Sequence, residues 1–158
     1  MHRIEIDQSG QISRFNTDTV FAFSDGIKHA IVIPAKVKLE ANRRLKQQYK
    51  QIKEPYLKLF SAGIFLLIKD HLSKIEKMLI DEEFTGKETI IKGHLLNYIR
   101  TLEPTFTKDR ILFWRIGKKS PAHQIALDVY RARKRRAKTI PPYKVIELQE
   151  FLKILKLK

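Results

Sequence analysis

The sequence predicts an α/β fold: a mixed five-stranded sheet, with three antiparallel strands followed by parallel strands joined through helical crossovers, and an extra C-terminal helix. Two observations carry this. Asp25-Gly26, flanked by Val20 to Phe23 and Ile27 to Ile33, is a tight-hairpin signal inside a strand-rich first third. Beyond about Val37 the apolar spacing becomes helical, and short apolar runs then alternate with helix-like segments.

Each element has its own signal. Arg3-Ile4-Glu5-Ile6-Asp7 alternates polar and apolar and gives a first strand, closed by Gln8-Ser9-Gly10; Thr19 to Phe23 and Ile27 to Ile33 give the second and third. Leu45, Tyr49 and Ile52 share one face of a first helix that Pro55 breaks. A second helix carries Tyr56, Phe60, Ile64, Leu67 and Ile75 toward the core, with Gly63 allowing close packing. Met78-Leu79-Ile80 is a short strand running into Asp81-Glu82-Glu83. Thr85 and Glu88 have capping-box spacing, and the helix they open repeats Ile91, Leu95, Tyr98 and Leu102 until Pro104. Arg110 to Ile116 is the fifth strand. Ser120-Pro121 opens the next helix, with Ser as N-cap, Pro in the first turn and a buried stripe of Ala122, Ile125, Ala126 and Val129. Residues 1–137 form the core. Residues 138–158 form an extension that breaks at Pro141-Pro142 and continues as an amphipathic helix through Val145, Leu148, Leu152 and Leu155.

Composition narrows the class. With 43% hydrophobic residues among 158, the chain can bury a substantial core. Its 32 Lys and Arg against 17 Asp and Glu leave a net charge of +15, whose self-repulsion a polyanion would relieve, although a Lys-rich, heat-adapted proteome also produces such surfaces. The absence of cysteine excludes disulfides, thiolate zinc sites and a Cys nucleophile. Charges occupy the start, where a signal peptide needs an apolar run, and the longest apolar stretch, Ala62 to Ile68, is too short for a bilayer. The expectation is a cytoplasmic protein without a membrane partner.

The element order brings carboxylates together. If the strand ending at Ile80 lies parallel to the first strand, Asp7 meets the cluster of Asp81 to Glu83, because parallel strands joined by crossovers have their carboxyl ends side by side. Ile4 and Ile6 share one face of the first strand, so Glu5 and Asp7 share the other. Converging carboxylates call for a hard cation, Mg²⁺ or Mn²⁺, and such a centre suits two-metal phosphodiester hydrolysis.

Three strands opening on Ile6-Asp7-Gln8-Ser9-Gly10, a helical crossover, a strand into Ile80-Asp81-Glu82-Glu83-Phe84, then helix, strand and helix resemble the ribonuclease H-like nuclease superfamily over residues 1–137. The nearer likeness is to RuvC-type Holliday junction resolvases. The resemblance implies Asp7 as the first acidic ligand and Asp81 or Glu83 as the second. It implies further ligands on the last core helix, where His123 lies in the first turn, Ser120 stands where a carboxylate is common, and Asp128 follows a turn and a half later. Glu40 or Glu54 would be the additional glutamate of true ribonucleases H. Catalytic roles then fall to Asp7, Asp81, Glu83 and His123.

Lys118 and Lys119, just ahead of that helix, and the basic run of Arg131, Arg133, Lys134, Arg135, Arg136 and Lys138 are the expected phosphate contacts, with the run fraying into an arm. Trp114, Phe113 and Tyr130 are candidates for base stacking, against a reading of Trp114 as core or edge packing. His29, His71 and His94 read as structural. Ser9 lacks the context of a nucleophile.

The expected activity is a metal-dependent nuclease on structured or hybrid nucleic acid, DNA or RNA. The alternatives are an inactive binding module on the same fold, or an adaptor or homodimer docking through the final helix.

Overall fold

The computed structural model describes residues 1–135 and 141–157. The chain folds as α/β around a six-stranded mixed sheet. Its strands are β1 (His2–Ser9), β2 (Thr19–Asp25), β3 (Ile27–Ile33), β4 (Ile75–Asp81), β5 (Ile111–Trp114) and β6 (Lys144–Val145), in the order β5-β4-β1-β2-β3-β6. The helices are α1 (Ala35–Gln48), α2 (Pro55–Ile68), α3 (Glu88–Ile99), α4 (Pro121–Arg135) and α5 (Leu148–Leu155).

The first three strands are antiparallel neighbours, with Asp25 opposite Ile27 at the hairpin and both Asp25 and Gly26 at positive φ. β4 lies parallel to β1 and β5 parallel to β4, as the crossover argument requires. The expectation of five strands is one short. After Pro141-Pro142 the chain pairs Lys144 and Val145 with Ile31 and Val32 along the edge of β3. Two residues carry too little periodicity to read as a strand, and Val145 is exposed there rather than buried on a helix.

The sheet separates two apolar layers. On one side Ile4, Ile6, Phe21, Phe23, Met78 and Ile80 pack with residues of α1, α2, α3 and α5 in the larger core. On the other side Val20, Ala22, Ala30 and Val32 meet Ala126 and Val129 of α4. The alanines let α4 lie close to the sheet, so short polar side chains at its start can reach β1. β2 is buried on both faces, which explains its continuous apolar run.

Three local readings are corrected. α2 ends at Ile68 and a 3-10 segment, Lys69–Lys74, follows, so Ile75 starts β4 instead of completing the helix. The Thr85–Glu88 capping box does not close. Lys87 is the N-cap without a side-chain bond, and the Glu88 carboxylate accepts from the Gly86 N–H at 3.2 Å. The strand expected over Arg110 to Ile116 spans Ile111–Trp114.

Gly63 does allow close packing: a Cβ there would lie 2.4 Å from Cε2 of Phe21. α5 buries Phe151, Leu152 and Leu155 in the same core as Leu45 and Leu57, so the face expected to dock a partner is taken up within the chain. Arg136 and Lys138 lie outside the described residues, and the basic run remains helical up to Arg135.

Buried Lys38 ties the β1–β2 connection to α1. Its Nζ donates to the Arg14 carbonyl, to Thr19 Oγ1 at 2.9 Å and to the Gln11 carbonyl at 3.4 Å. Burial pulls its ammonium down to about 8, with Asp18 opposing.

Candidate metal centre

The register Ile6↔Ile80 puts the next residues of β1 and β4, Asp7 and Asp81, side by side at the carboxyl ends of two parallel strands. Two residues past Asp81 the chain turns back toward β1 and brings in Glu83. Among the described residues, Asp7, Asp81 and Glu83 offer oxygens that all lie within 4.8 Å of one another. Glu82, between the two β4 acids, is exposed beside Glu88.

Each carboxylate is held. Asp7, 4% exposed, accepts from its neighbour's backbone N–H, that of Gln8, at 2.8 Å through Oδ1, and from Nδ1 of His123 at 2.7 Å through Oδ2. Asp81 Oδ1 accepts from the Ile116 N–H at 2.7 Å, which fixes the loop leaving β5. One row back on the same face of β1, Glu5 accepts from the Ser120 hydroxyl. The first turn of α4 thus engages both carboxylates of that face, Ser120 on Glu5 and His123 on Asp7. The Ser120 hydroxyl, immediately ahead of α4, donates its proton to the strand.

The electrostatics follow from crowding. Burial raises the Asp7 carboxyl and the nearby charge of Asp81 adds to this, while His123 and the Gln8 N–H oppose it. Glu83 is pushed up to about 7, first by burial, then by its hydrogen bond to Asp81 and the charges of Asp81 and Asp7, with Gln8 opposing. With Asp7 and Glu83 both held above the ordinary carboxylate range, a cation bound among these oxygens would be favoured by the electrostatics.

Gln8 supplies an independent observation. It is 7% exposed, its amide nitrogen bears on the Glu83 carboxylate, and its Oε1 has no hydrogen-bond partner. An unpaired buried amide oxygen costs about 1–3 kcal/mol, a cost that a cation beside it would relieve. The donor set of three carboxylates with an amide oxygen at hand fits a hard divalent ion such as Mg²⁺ or Mn²⁺.

The remaining sequence candidates are placed as follows. His123 reaches the centre through Asp7. Asp128 lies outside it, accepting from Gln124 Nε2 at 2.8 Å. Glu40 pairs with Arg43 and Arg44, and Glu54 with Lys87, so neither joins the cluster. Lys118 and Lys119 are exposed in the turn before α4.

Arg131 and Arg135 are exposed on α4, whereas Arg133 is engaged by Asp18 at 3.1 Å and Lys134 lies over the Tyr130 ring at 4.6 Å. Tyr130 bonds Thr17 at 2.8 Å, and Phe113 packs against the main core. Trp114 is neither core nor packed edge: it is 68% exposed. Sequence reading missed Gln8 as part of the centre. Its only signal is its position, next to Asp7 and ahead of a glycine turn. No protein-family model, curated protein or solved structure matches this chain.

Proposed function

We propose that the protein is a metal-dependent phosphodiester hydrolase of ribonuclease H-like architecture, cutting structured or hybrid nucleic acid with Mg²⁺ or Mn²⁺ held by Asp7, Asp81 and Glu83. The observation that carries this reading is the meeting of those three carboxylates, beside a buried amide oxygen without a partner, in a chain of net charge +15. The bound cations would activate water and stabilise the attacking and leaving oxygens. The chain's own residues do the positioning. His123 orients Asp7, the Ile116 N–H orients Asp81, and Lys118 and Lys119, immediately ahead of α4, draw phosphates toward the acidic end. The strand order, with β1 central between an antiparallel β2 and a parallel β4 and with α4 across it, supports the ribonuclease H-like reading.

The test is cleavage of junctions, hybrids and single strands with Mg²⁺ or Mn²⁺, comparing parent protein with Asp7→Asn. Activity that survives the substitution unchanged removes the site. A second reading is a binding module without turnover. It is favoured by the first turn of α4, which presents Ser120 and His123 rather than a carboxylate, with Asp128 turned to Gln124. It gives salt-sensitive binding that ignores divalent ions.

A further inference from the structure

We infer that Trp114 is a stacking platform for an unpaired nucleobase beside the acidic centre, so that the strand this protein takes is single-stranded or locally unpaired next to the cluster. This rests on the nucleic-acid reading above and names the substrate class within it.

The argument begins with what α4 leaves uncovered. It packs across β1, β2 and β3, whereas Leu112 and Trp114 of β5 are exposed to solvent. Ile80 and Phe113 pair with each other and point into the main core, so their neighbours Asp81 and Trp114, paired in the next register position, point to the opposite face. Leu79 pairs with Leu112 one row back on that face. Asp7, Asp81 and Trp114 therefore form one row across three adjacent strands. At ~4.8 Å per strand, the Trp114 backbone is ~5 Å from that of Asp81 and ~10 Å from that of Asp7, about the span of one to three stacked nucleotides.

Single exposed apolar side chains are ordinary on protein surfaces. Here two large ones, Leu112 and Trp114, stand in line on one short strand, in register with the acids. The neighbouring cations suit a polyanionic occupant: Arg115, Lys118 and Lys119 follow directly, all exposed, and the two lysines form no ion pair among the described residues. Farther from the centre, Leu79 and Leu112 line a shallow depression of about 250 Å³ with Arg3, Lys77, Glu5 and Asp25. Of its two acids, Glu5 is occupied by Ser120.

A second copy of this +15 chain would bring like charges together at this face, whereas a polyanion is attracted to it. Within a duplex each base is already stacked on its neighbours and paired. An exposed indole finds a free π-face only where pairing is interrupted.

Trp114 is the only tryptophan in the chain, so emission excited selectively at the indole, clear of the five tyrosines, reports on this side chain alone. The experiment uses the full chain carrying Asp7→Asn, without divalent ion, and follows both tryptophan emission and the anisotropy of labelled oligonucleotides. Single-stranded oligothymidine should quench the emission saturably, and a hairpin duplex of equal length should bind with little quenching. Trp114→Ala should weaken single-strand binding on the order of tenfold, with duplex binding changed by no more than about twofold, and Trp114→Phe should restore most of the loss.

Single-strand binding without quenching, and unaffected by Trp114→Ala, overturns the inference. If the parent protein nevertheless cleaves with Mn²⁺, the hydrolase reading survives that result. Quenching together with an absence of cleavage by the parent keeps the platform and removes the hydrolase. Failure to bind either probe removes both. A concentration-dependent blue shift without nucleic acid assigns the face to a second copy and overturns the inference as well.

Discussion

His123 and Asp7 are joined where α4 crosses β1: Nδ1 of the imidazole stands 2.7 Å from Oδ2 of a carboxylate that is 4% exposed. The contact leaves Asp7 one oriented oxygen pair and turns Nε2 of His123 away from it. If Asp7 is a ligand, His123 is its outer support. His123→Ala should weaken Mg²⁺ or Mn²⁺ binding by roughly 10–100-fold, as loss of an orienting partner does elsewhere. Titration calorimetry measures this directly, and unchanged affinity would count against the arrangement.

Glu83 makes the cation-free protein less stable than it could be. Its folded carboxyl is raised to about 7, above its ordinary value of 4.5, so the protonated form is favoured by the fold. The stabilisation associated with that proton is complete below the unfolded value and is lost as pH rises through 7. Without divalent ions, Glu83→Gln should therefore gain on the order of 2 kcal/mol over the parent at pH 8, and nothing below pH 4. Adding Mn²⁺ should reverse the order by stabilising the parent more. Thermal unfolding at both pH values, with and without the ion, is the check.

Lys38 has the opposite sense. Its folded value is depressed to about 8 from 10.5, so between these values the unfolded chain holds more protons and the fold gains stability as pH rises. Denaturant midpoints of the parent should improve relative to Lys38→Met between pH 8 and 10. Parallel pH profiles would show that the lysine is not desolvated as described.

Gly63 admits no side chain. An added Cβ would lie 2.4 Å from Phe21 Cε2 and 3.1 Å from Ile33 Cδ1, inside a closed core. Gly63→Ala should destabilise the protein by about 1–3 kcal/mol, seen as a lower urea midpoint at unchanged slope. A midpoint within error of the parent would mean that β2 and α2 can move apart.

The legible parts of this fold are those in which the local pattern and the sheet geometry agree. Asp25-Gly26 announces the hairpin because only a few residues tolerate its backbone, and Asp7 meets Asp81 because parallel pairing leaves their strands no other arrangement. Ile75 has a spacing from Leu67 that suits the preceding helix, yet it starts β4. What separates them is the 3-10 segment Lys69–Lys74, which has no strong sequence signature. The capping box failed because Glu88 already serves Gly86 and approaches Glu82. β6 depends on contact with the edge of β3, a tertiary fact invisible in Lys144-Val145 alone. Within the site, the three acids could be inferred from topology. The dependence of Asp7 on His123 and the unpaired amide oxygen of Gln8 come from side-chain packing that no spacing rule encodes.

β6 also changes the protein's exposure to self-association. By pairing with β3 it closes part of one side of the sheet, and the other margin is β5, four residues long with Leu112 and Trp114 exposed. An uncovered strand of this kind is where copies of a chain add to one another. Here the barrier is repulsion rather than a physical cover, since Arg115, Lys118 and Lys119 on each copy would have to come together. Because that repulsion fades over ~8 Å at physiological ionic strength and over ~3 Å at 1 M, concentrated salt removes the guard from β5 while leaving the fold intact.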